Sequence, residues 1–180
     1  MVDDQLPDLV LPLEGRDHCL GPLGARYSLL EYGDYECPHC ADAQPTVKEL
    51  VRELGDDLCF AFRHFPQPTI HPRSAPAAQA AEAADEQGKF WLMHERLFAN
   101  RTDLSDAELR TLARGLPLDM ATFDRDLLSG APARRVAADV ESGTSLGVVA
   151  TPTFFVNGRM HAGSHEFVPL LDLLRRGRAP

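Results

Sequence analysis

Alternating and helical hydrophobic patterns organise the first third of the chain. Residues 27–33 (YSLLEYG) and 58–66 (LCFAFRHFP) have the short apolar pattern of strands. Between them, residues 38–54 have a helical pattern that ends at Gly55. A strand, a helix and a second strand in this order predict a βαβ crossover with parallel strands.

The middle of the chain contains only helical patterns. Five such segments follow one another between residues 73 and 147, and glycine or asparagine separates them. In the segment 89–100, the large apolar side chains fall at helical spacing, so we expect them to form the core of a helical subdomain. They are Phe90, Trp91, Leu92, Met93, Leu97 and Phe98.

Strand patterns return near the C-terminus. Residues 151–163 (TPTFFVNGRMHAG) contain Asn157-Gly158 between apolar runs, which is typical of a type I′ hairpin. An amphipathic helix over 165–176 is predicted to follow. The order β, α, β, helical block, hairpin, α is the outline of a thioredoxin-type sheet that a helical insertion interrupts.

Composition and charge narrow the range of partners. The chain has 180 residues, of which 44% are hydrophobic, enough for one domain with a core. A formal net charge of -9 disfavours nucleic acid and anionic membrane surfaces. Residues 1–20 have no basic start and no apolar run. We therefore expect a soluble, monomeric, cytoplasmic protein, or a periplasmic or extracytoplasmic one if a signal has been removed.

The candidate chemistry is the CxxC pair Cys37 and Cys40 at the first strand-to-helix junction. Unpaired N–H groups of a helix N-terminus and a neighbouring imidazole, here His39, lower a cysteine pKa from ~8.5 to roughly 3.5–7.5. We therefore predict that Cys37 is the attacking sulfur and Cys40 the resolving sulfur. Pro38 suits the first helical turn, because its missing N–H would be unpaired there.

The other two cysteines are Cys19 and Cys59, which we expect to behave as small buried hydrophobes without chemistry. Four cysteines are too few and too unevenly spaced for a secreted disulfide framework. A structural zinc site wants four ligands, and the candidates nearest to that pattern are His161-x3-His165 and the neighbours His18-Cys19. The spacing favours a redox pair and no metal, while a non-catalytic zinc-binding or interaction module stays an alternative.

Four segments together resemble the DsbA-like family of thiol-disulfide oxidoreductases. They are DHCLGPLGA, EYGDYECPHC, AAQAAEAADEQGKFWLMHERLF and GVVATPTFFVNGR, and the resemblance covers nearly the whole chain. It implies an α/β fold, thioredoxin-like with an inserted all-helical subdomain. The thioredoxin-like domain would be discontinuous, over residues 1–66 and 148–180, and the helical insertion would comprise residues 67–147.

The resemblance also implies roles for residues away from the cysteines. Pro152 would follow a cis peptide bond and face the CxxC, leaving the Thr151 backbone free to pair with an extended substrate chain. Glu31 would be a buried acid that takes the proton from Cys40. From their positions in the sequence, we expect Asp34 and Glu36 to be solvated loop residues.

A possible substrate groove is suggested by His64, Phe65 and Pro66 at the end of the second predicted strand. The predicted function is disulfide exchange with protein or peptide substrates, by a DsbA-like dithiol oxidase with an unidentified redox partner. A cytosolic disulfide reductase linked to a thioredoxin or glutathione system is the alternative within enzymes. No cofactor is expected besides the redox-active disulfide Cys37–Cys40.

Overall fold

The structure is a computed structural model that describes residues 13–177. Within this range it contains one five-stranded sheet with the order β1, β3, β2, β4, β5. Strand β1 runs antiparallel to β3, and β4 runs antiparallel to β5. The strands are β1 (His18–Leu20), β2 (Tyr27–Gly33), β3 (Leu58–His64), β4 (Thr153–Val156) and β5 (Arg159–His161).

Seven α-helices are present among the described residues, and a short 3-10 helix (Gly55–Asp57) precedes β3. Helix α1 carries Pro45 in its interior, where the N–H that would bond to the carbonyl four residues earlier is missing. The helices are α1 (Pro38–Leu54), α2 (Ser74–Asp85), α3 (Phe90–Ala99), α4 (Asp106–Arg114), α5 (Met120–Leu128), α6 (Ala131–Ser145) and α7 (Phe167–Arg176).

The predicted elements are present, with two differences at the strands. Strand β3 ends at His64, two residues earlier than predicted, and the N–H of Phe65 instead donates to the carbonyl of Gly33 at 2.8 Å. The sequence prediction missed β1, which is three residues long and pairs Cys19 with Ala61. So short a strand has no alternating run, and only its pairing with β3 defines it.

Two compact units make up the described part of the chain. One contains residues 13–31, 43–63 and 153–177, and the other contains residues 32–42 and 64–152. The first holds most of the sheet, the later turns of α1, and α7. The second holds the first turn of α1 and α2 to α6, and it includes residues 32–42, 64–66 and 148–152 in addition to the predicted insertion. The ends of the predicted thioredoxin-like domain, 1–12 and 178–180, lie outside the described residues.

Asn157 organises the C-terminal part of the first unit. It has a φ of 50° and Gly158 a φ of 81°, both left-handed as a type I′ turn requires. The Asn157 side chain is buried, accepts a hydrogen bond from the N–H of Ser28 and donates to the carbonyls of Leu174 and Gly177. One turn residue thus connects the hairpin to β2 and to the end of α7.

The second unit has an aromatic core built around α3. Buried positions at 90, 93, 94, 97 and 98 follow the helical period, as predicted for most of them. Trp91 and Leu92 are the exceptions among the predicted core residues, because Trp91 is half-buried and Leu92 is 45% exposed. His94 makes edge or tilted contacts with four aromatic rings, which belong to Tyr35, Phe90, Trp91 and Phe98.

Throughout residues 13–177, no helix has both the length and the apolar composition needed to cross a lipid bilayer.

Candidate active site

The two cysteines of the CxxC pair flank the first turn of α1. Helix α1 begins at Pro38, which has the position expected for a proline in a first turn, and no acidic side chain lies in that turn. Cys37 immediately precedes the helix and Cys40 lies within it. Cys40 is fully buried, as expected, but Cys37 is only 4% exposed, less than a freely accessible nucleophile would be.

Hydrogen bonds converge on the Cys37 sulfur. They lower its pKa from the ordinary value of 9.0 to about 5, chiefly through the Cys40 thiol, against the opposing effect of burial. The hydroxyl of Thr151 and the backbone N–H groups of Cys40 and His39 contribute in the same direction. Cys37 therefore holds a thiolate at neutral pH, which is the form that attacks disulfides.

His39 and Pro38 are both exposed between the cysteines. From the sequence, we predicted that the imidazole of His39 lowers the pKa of Cys37. In the structure, His39 stabilises the Cys37 thiolate through its backbone N–H, a group that every residue except proline possesses.

The loop before β4 contacts the CxxC pair. The Thr151–Pro152 peptide bond is cis, as predicted. When Cys37 is protonated, its thiol donates a hydrogen bond to the Thr151 carbonyl at 3.4 Å, and both Thr151 and Pro152 are half-buried. Cys37, Cys40, Thr151 and Pro152 thus form one site within the second unit.

Asp34 is not the solvated loop residue that the sequence predicted. It is 2% exposed, and its carboxylate accepts hydrogen bonds from the N–H of Glu36 at 2.8 Å, the N–H of Gln67 at 3.0 Å and Nδ1 of His71 at 2.9 Å. Its backbone N–H donates to Cys40 Sγ at 3.4 Å, and its carbonyl accepts from the N–H of Cys37 at 3.2 Å. Asp34 therefore positions both cysteines.

A second acidic side chain fastens the same loop. Glu36 is half-buried rather than solvated, and it accepts a hydrogen bond from the N–H of Arg73 at 2.8 Å. The Gln67 side chain donates to the carbonyl of Val149 at 3.3 Å, two residues before Thr151. Residues 67–73 therefore contact both the loop before the cysteines and the loop before Pro152.

Tyr35 anchors the CxxC loop in the aromatic core. Its side chain is 1% exposed, and its hydroxyl is hydrogen-bonded to His94 Nδ1 at 3.1 Å. The buried role of Asp34 could have been suspected from its loop position, because an aspartate there often forms an Asx turn, in which its carboxylate accepts a hydrogen bond from the N–H two residues later. No local signal indicates the role of Tyr35, whose partner lies 59 positions away.

The predicted substrate groove is largely an interior surface. His64 is fully buried, and its Nε2 is 2.7 Å from Glu82 Oε1. Phe65 is 8% exposed and packs edge-on against Tyr32. It also lies so near Gly143 that a Cβ there would be 2.8 Å from the Phe65 ring. Of the three predicted groove residues, only Pro66 is half-buried.

Glu31 is fully buried in β2, as predicted. Both its carboxylate oxygens accept from the Gln44 side-chain amide, at 3.3 and 3.5 Å. Its role as the proton acceptor for Cys40 stays a prediction.

The CxxC sulfurs are not surrounded by metal ligands. Within the described residues, no group of three or more histidine, cysteine, aspartate or glutamate side chains suited to hold a metal ion includes Cys37 or Cys40. Of the histidines proposed as zinc ligands, His161 Nε2 is hydrogen-bonded to the carbonyl of Ser164, and His165 packs against Phe154. His18 lies with His64 and Glu82 in a buried group whose ligand atoms are within 4.8 Å of one another, and this group contains no cysteine.

Comparison with known proteins assigns the family. The thioredoxin family model matches residues 14–175, which include the sheet, all seven described helices except the last residue of α7, and the CxxC pair. The chain belongs to the thioredoxin family. Its fold is thioredoxin-like with a helical insertion, as predicted.

Two solved structures share this fold over almost their whole length. A thioredoxin-like oxidoreductase from Silicibacter pomeroyi has 27% identity and a TM-score of 0.80, with 91% of this chain and 92% of that chain covered. DsbA2 from Pseudomonas aeruginosa has 25% identity and a TM-score of 0.68, with 91% and 96% covered. The predicted resemblance to DsbA-like proteins is confirmed.

A curated relative with higher sequence identity is an antiporter, and this chain matches only part of it. The Na(+)/H(+) antiporter NhaA 1 from Salinispora arenicola is 42% identical over 170 residues, which are 94% of this chain but 26% of the antiporter. The chain therefore spans about a quarter of the length of this curated relative.

Proposed function

We propose that the protein is a thiol-disulfide oxidoreductase that exchanges disulfides with protein substrates through Cys37 and Cys40. The observation that carries this proposal is the Cys37 sulfur, whose pKa is lowered to about 5 by the Cys40 thiol and by surrounding N–H and O–H donors. A buried cysteine that serves only for packing has a raised pKa, because burial disfavours the thiolate. The lowered pKa of Cys37 is instead typical of a reactive cysteine.

The exchange takes two steps. The Cys37 thiolate of the dithiol form attacks a substrate disulfide, and one substrate sulfur leaves with the electron pair of the broken S–S bond. Cys40 then loses its proton and attacks Cys37, which releases the second substrate sulfur and closes the Cys37–Cys40 disulfide. In the opposite direction, a substrate thiolate attacks Cys37 of this disulfide, and the same intermediate resolves to an oxidised substrate.

We further propose that oxidation of substrate thiols is the favoured direction. Groups that stabilise the Cys37 thiolate stabilise the dithiol form, and this makes the disulfide a stronger oxidant. We expect the reduction potential to lie nearer the roughly -120 mV of DsbA than the roughly -270 mV of thioredoxin. Equilibration with glutathione buffers measures it, and a value near that of thioredoxin would support the reductase alternative.

Trapping of mixed disulfides tests the activity itself. With Cys40→Ser, attack by Cys37 leaves an intermediate that cannot be resolved from within, so we expect it to accumulate with a disulfide-containing protein. The matched control is the double variant Cys37→Ser/Cys40→Ser, which should trap nothing. Trapping by the double variant at the same level, or none by Cys40→Ser, would contradict the proposal. Metal retained until a chelator removes it would instead support the zinc module.

The antiporter relative favours a second, more specific proposal about the partner. Since 94% of this chain aligns with a quarter of an Na(+)/H(+) antiporter, we propose that the thioredoxin-like unit provides thiol-disulfide exchange beside a cation antiporter. In the source cell, Cys40→Ser would then form a mixed disulfide with an antiporter polypeptide, identified by mass spectrometry. Trapped proteins without any antiporter would contradict this partner while leaving the general activity intact.

A further inference from the structure

A second pair of thiols lies in the first unit, away from the CxxC sequence. In the β1–β3 register, Cys19 is opposite Ala61, so Cys59 lies on the same face one diagonal away. Cys59 is 1% exposed and Cys19 is half-buried at the edge of the sheet. The two thiols are hydrogen-bonded to each other. Cys59 is thus buried as predicted, whereas Cys19 is only half-buried.

The neighbourhood holds the two strands together at both ends of β1. Before the strand, Asp17 forms a buried bidentate ion pair with Arg63 of β3, at 2.7 and 2.8 Å. After it, Gly21 has a φ of 85° and lies so close to β3 that a Cβ would be 2.0 Å from the Leu58 carbonyl oxygen. The Cys19 and Cys59 sulfurs are thus kept near each other by contacts that do not involve them.

The hydrogen bond between the two thiols shifts their pKa values in opposite directions. The hydrogen bond from Cys19 lowers the pKa of Cys59, while the bond to Cys59 and burial raise the pKa of Cys19. When the pair loses one proton, Cys59 is therefore the thiolate and Cys19 the donor. A thiolate beside a second sulfur is the arrangement that closes a disulfide once that sulfur carries a leaving group.

We propose that Cys19 and Cys59 form a second, reversible disulfide in this protein, with a small-molecule disulfide such as oxidised glutathione as the oxidant. The Cys59 thiolate first takes the proton of Cys19, and the half-buried Cys19 attacks a glutathione disulfide, from which one glutathione leaves as a thiolate. This glutathione thiolate takes the proton from Cys59, which becomes a thiolate again. The Cys59 thiolate then attacks Cys19 Sγ and displaces the second glutathione. Two cysteine thiols are oxidised to one S–S bond, and one glutathione disulfide is reduced to two thiols.

The geometry requires only a small movement of an edge strand. Diagonal neighbours in an antiparallel pair are about 7–8 Å apart, whereas disulfides join Cα atoms about 4.4–6.8 Å apart. Strand β1 has three residues and one hydrogen-bonded neighbour in the sheet, so the shift of about 1 Å is made at Cys19, between the Asp17 and Gly21 contacts that stay in place. The disulfide would lock this edge strand to β3.

The test uses the full chain with Cys37→Ser and Cys40→Ser, so that the CxxC pair cannot contribute. We expect incubation of this folded variant with oxidised glutathione to remove two alkylatable thiols together, with the mass loss of two hydrogens. A peptide map should join the peptides of Cys19 and Cys59. The melting temperature should rise by about 5–10 °C, because the bond closes a loop of some 40 residues in the unfolded chain.

Matched variants on the same background identify the pair. Adding Cys19→Ser, or separately Cys59→Ala, should abolish the cross-link and leave at most a glutathione adduct. If Cys59→Ala fails to fold, the variant Cys19→Ser, at the half-buried position, tests the cross-link by itself. Two thiols that stay free in the folded protein, glutathione adducts without a cross-link, or a cross-link that appears only in denaturant would each overturn the proposal. Because the CxxC pair is absent, none of these outcomes bears on the proposed oxidoreductase activity.

Discussion

At the scale of single residues, the chemistry depends on which donors reach one sulfur. Cys37 receives the Cys40 thiol as its strongest donor, followed by the Thr151 hydroxyl and two backbone N–H groups. These donors come from α1 and from the loop before β4. The stabilised thiolate therefore results from two segments far apart in the sequence and not from the CPHC sequence alone.

Substitutions in the CxxC sequence separate the sources of this stabilisation. We expect Cys40→Ala to raise the pKa of Cys37 more than His39→Gly does, because alanine removes the strongest donor and glycine keeps the backbone N–H. Cys40→Ser, which retains a hydroxyl donor, should fall between Cys40→Ala and wild type. Titration of the thiolate ultraviolet absorbance measures all three. A larger rise with His39→Gly would show that the imidazole dominates.

The lowered Cys37 pKa also predicts how the stability of the reduced protein depends on pH. The pKa is about 5 in the folded protein and 9.0 ordinarily, so between these values the unfolded chain binds the extra proton. The resulting stabilisation is therefore complete above pH 9 and is lost as the pH falls through 5. Reduced wild type and Cys37→Ala, compared by denaturant unfolding at several pH values, should diverge as the pH rises. Parallel curves would contradict the shift.

At the scale of elements, the loop between β2 and α1 is the critical segment. Asp34 contacts both cysteines through its backbone and residues 67–71 through its carboxylate. Tyr35 fixes the same loop to α3. The position of the cysteines thus depends on residues 67–71 and on α3 as much as on the strand that precedes them.

Removal of the Asp34 carboxylate should lower the free energy of unfolding and raise the pKa of Cys37. Asp34→Ala leaves three donors without their acceptor, and a buried donor left unpaired costs about 1–3 kcal/mol. We expect the free energy of unfolding to fall by about 3 kcal/mol or more, and the Cys37 pKa to rise as the loop loosens. Asp56→Ala, at an exposed aspartate, is the control and should change neither quantity. A stability loss without any change in the Cys37 pKa would limit Asp34 to a structural role.

At the scale of the whole molecule, we expect the net charge of -9 to influence which polypeptides the protein encounters most readily. An acidic surface attracts basic polypeptides and repels acidic ones, over a distance that salt shortens. Length and hydrophobic content allowed one ordinary domain with a core, and the thioredoxin family model spans nearly all of it.

The charge leads to a prediction about exchange rates. We expect the protein to react faster with a basic disulfide peptide than with an acidic peptide of the same length, and we expect this ratio to shrink as salt is added from about 10 mM to 1 M. Stopped-flow measurement of the second-order rate constants tests it. A ratio that does not depend on salt would show that local contacts, rather than the net charge, determine the encounter.

The sequence by itself determined most of the elements and the place of the CxxC pair at a strand-to-helix junction. The patterns at 27–33 and 38–54 match β2 and α1, because hydrophobic periodicity and the glycine after the helix are local signals. The position of Cys37 before a first turn that starts with Pro38 is equally local. The Asn157-Gly158 turn was likewise predictable, since its left-handed backbone restricts the residues it accepts.

Only the tertiary structure decided which side chains are buried and what they contact. Aspartate is a residue type typical of loops, but Asp34 is a buried acceptor because His71 and Gln67, 37 and 33 positions away in the sequence, lie next to its carboxylate. Cys19 and Cys59 are 40 positions apart and meet only because a three-residue strand pairs with β3. Local propensity contains no information on such approaches, since they depend on chain segments that packing brings together.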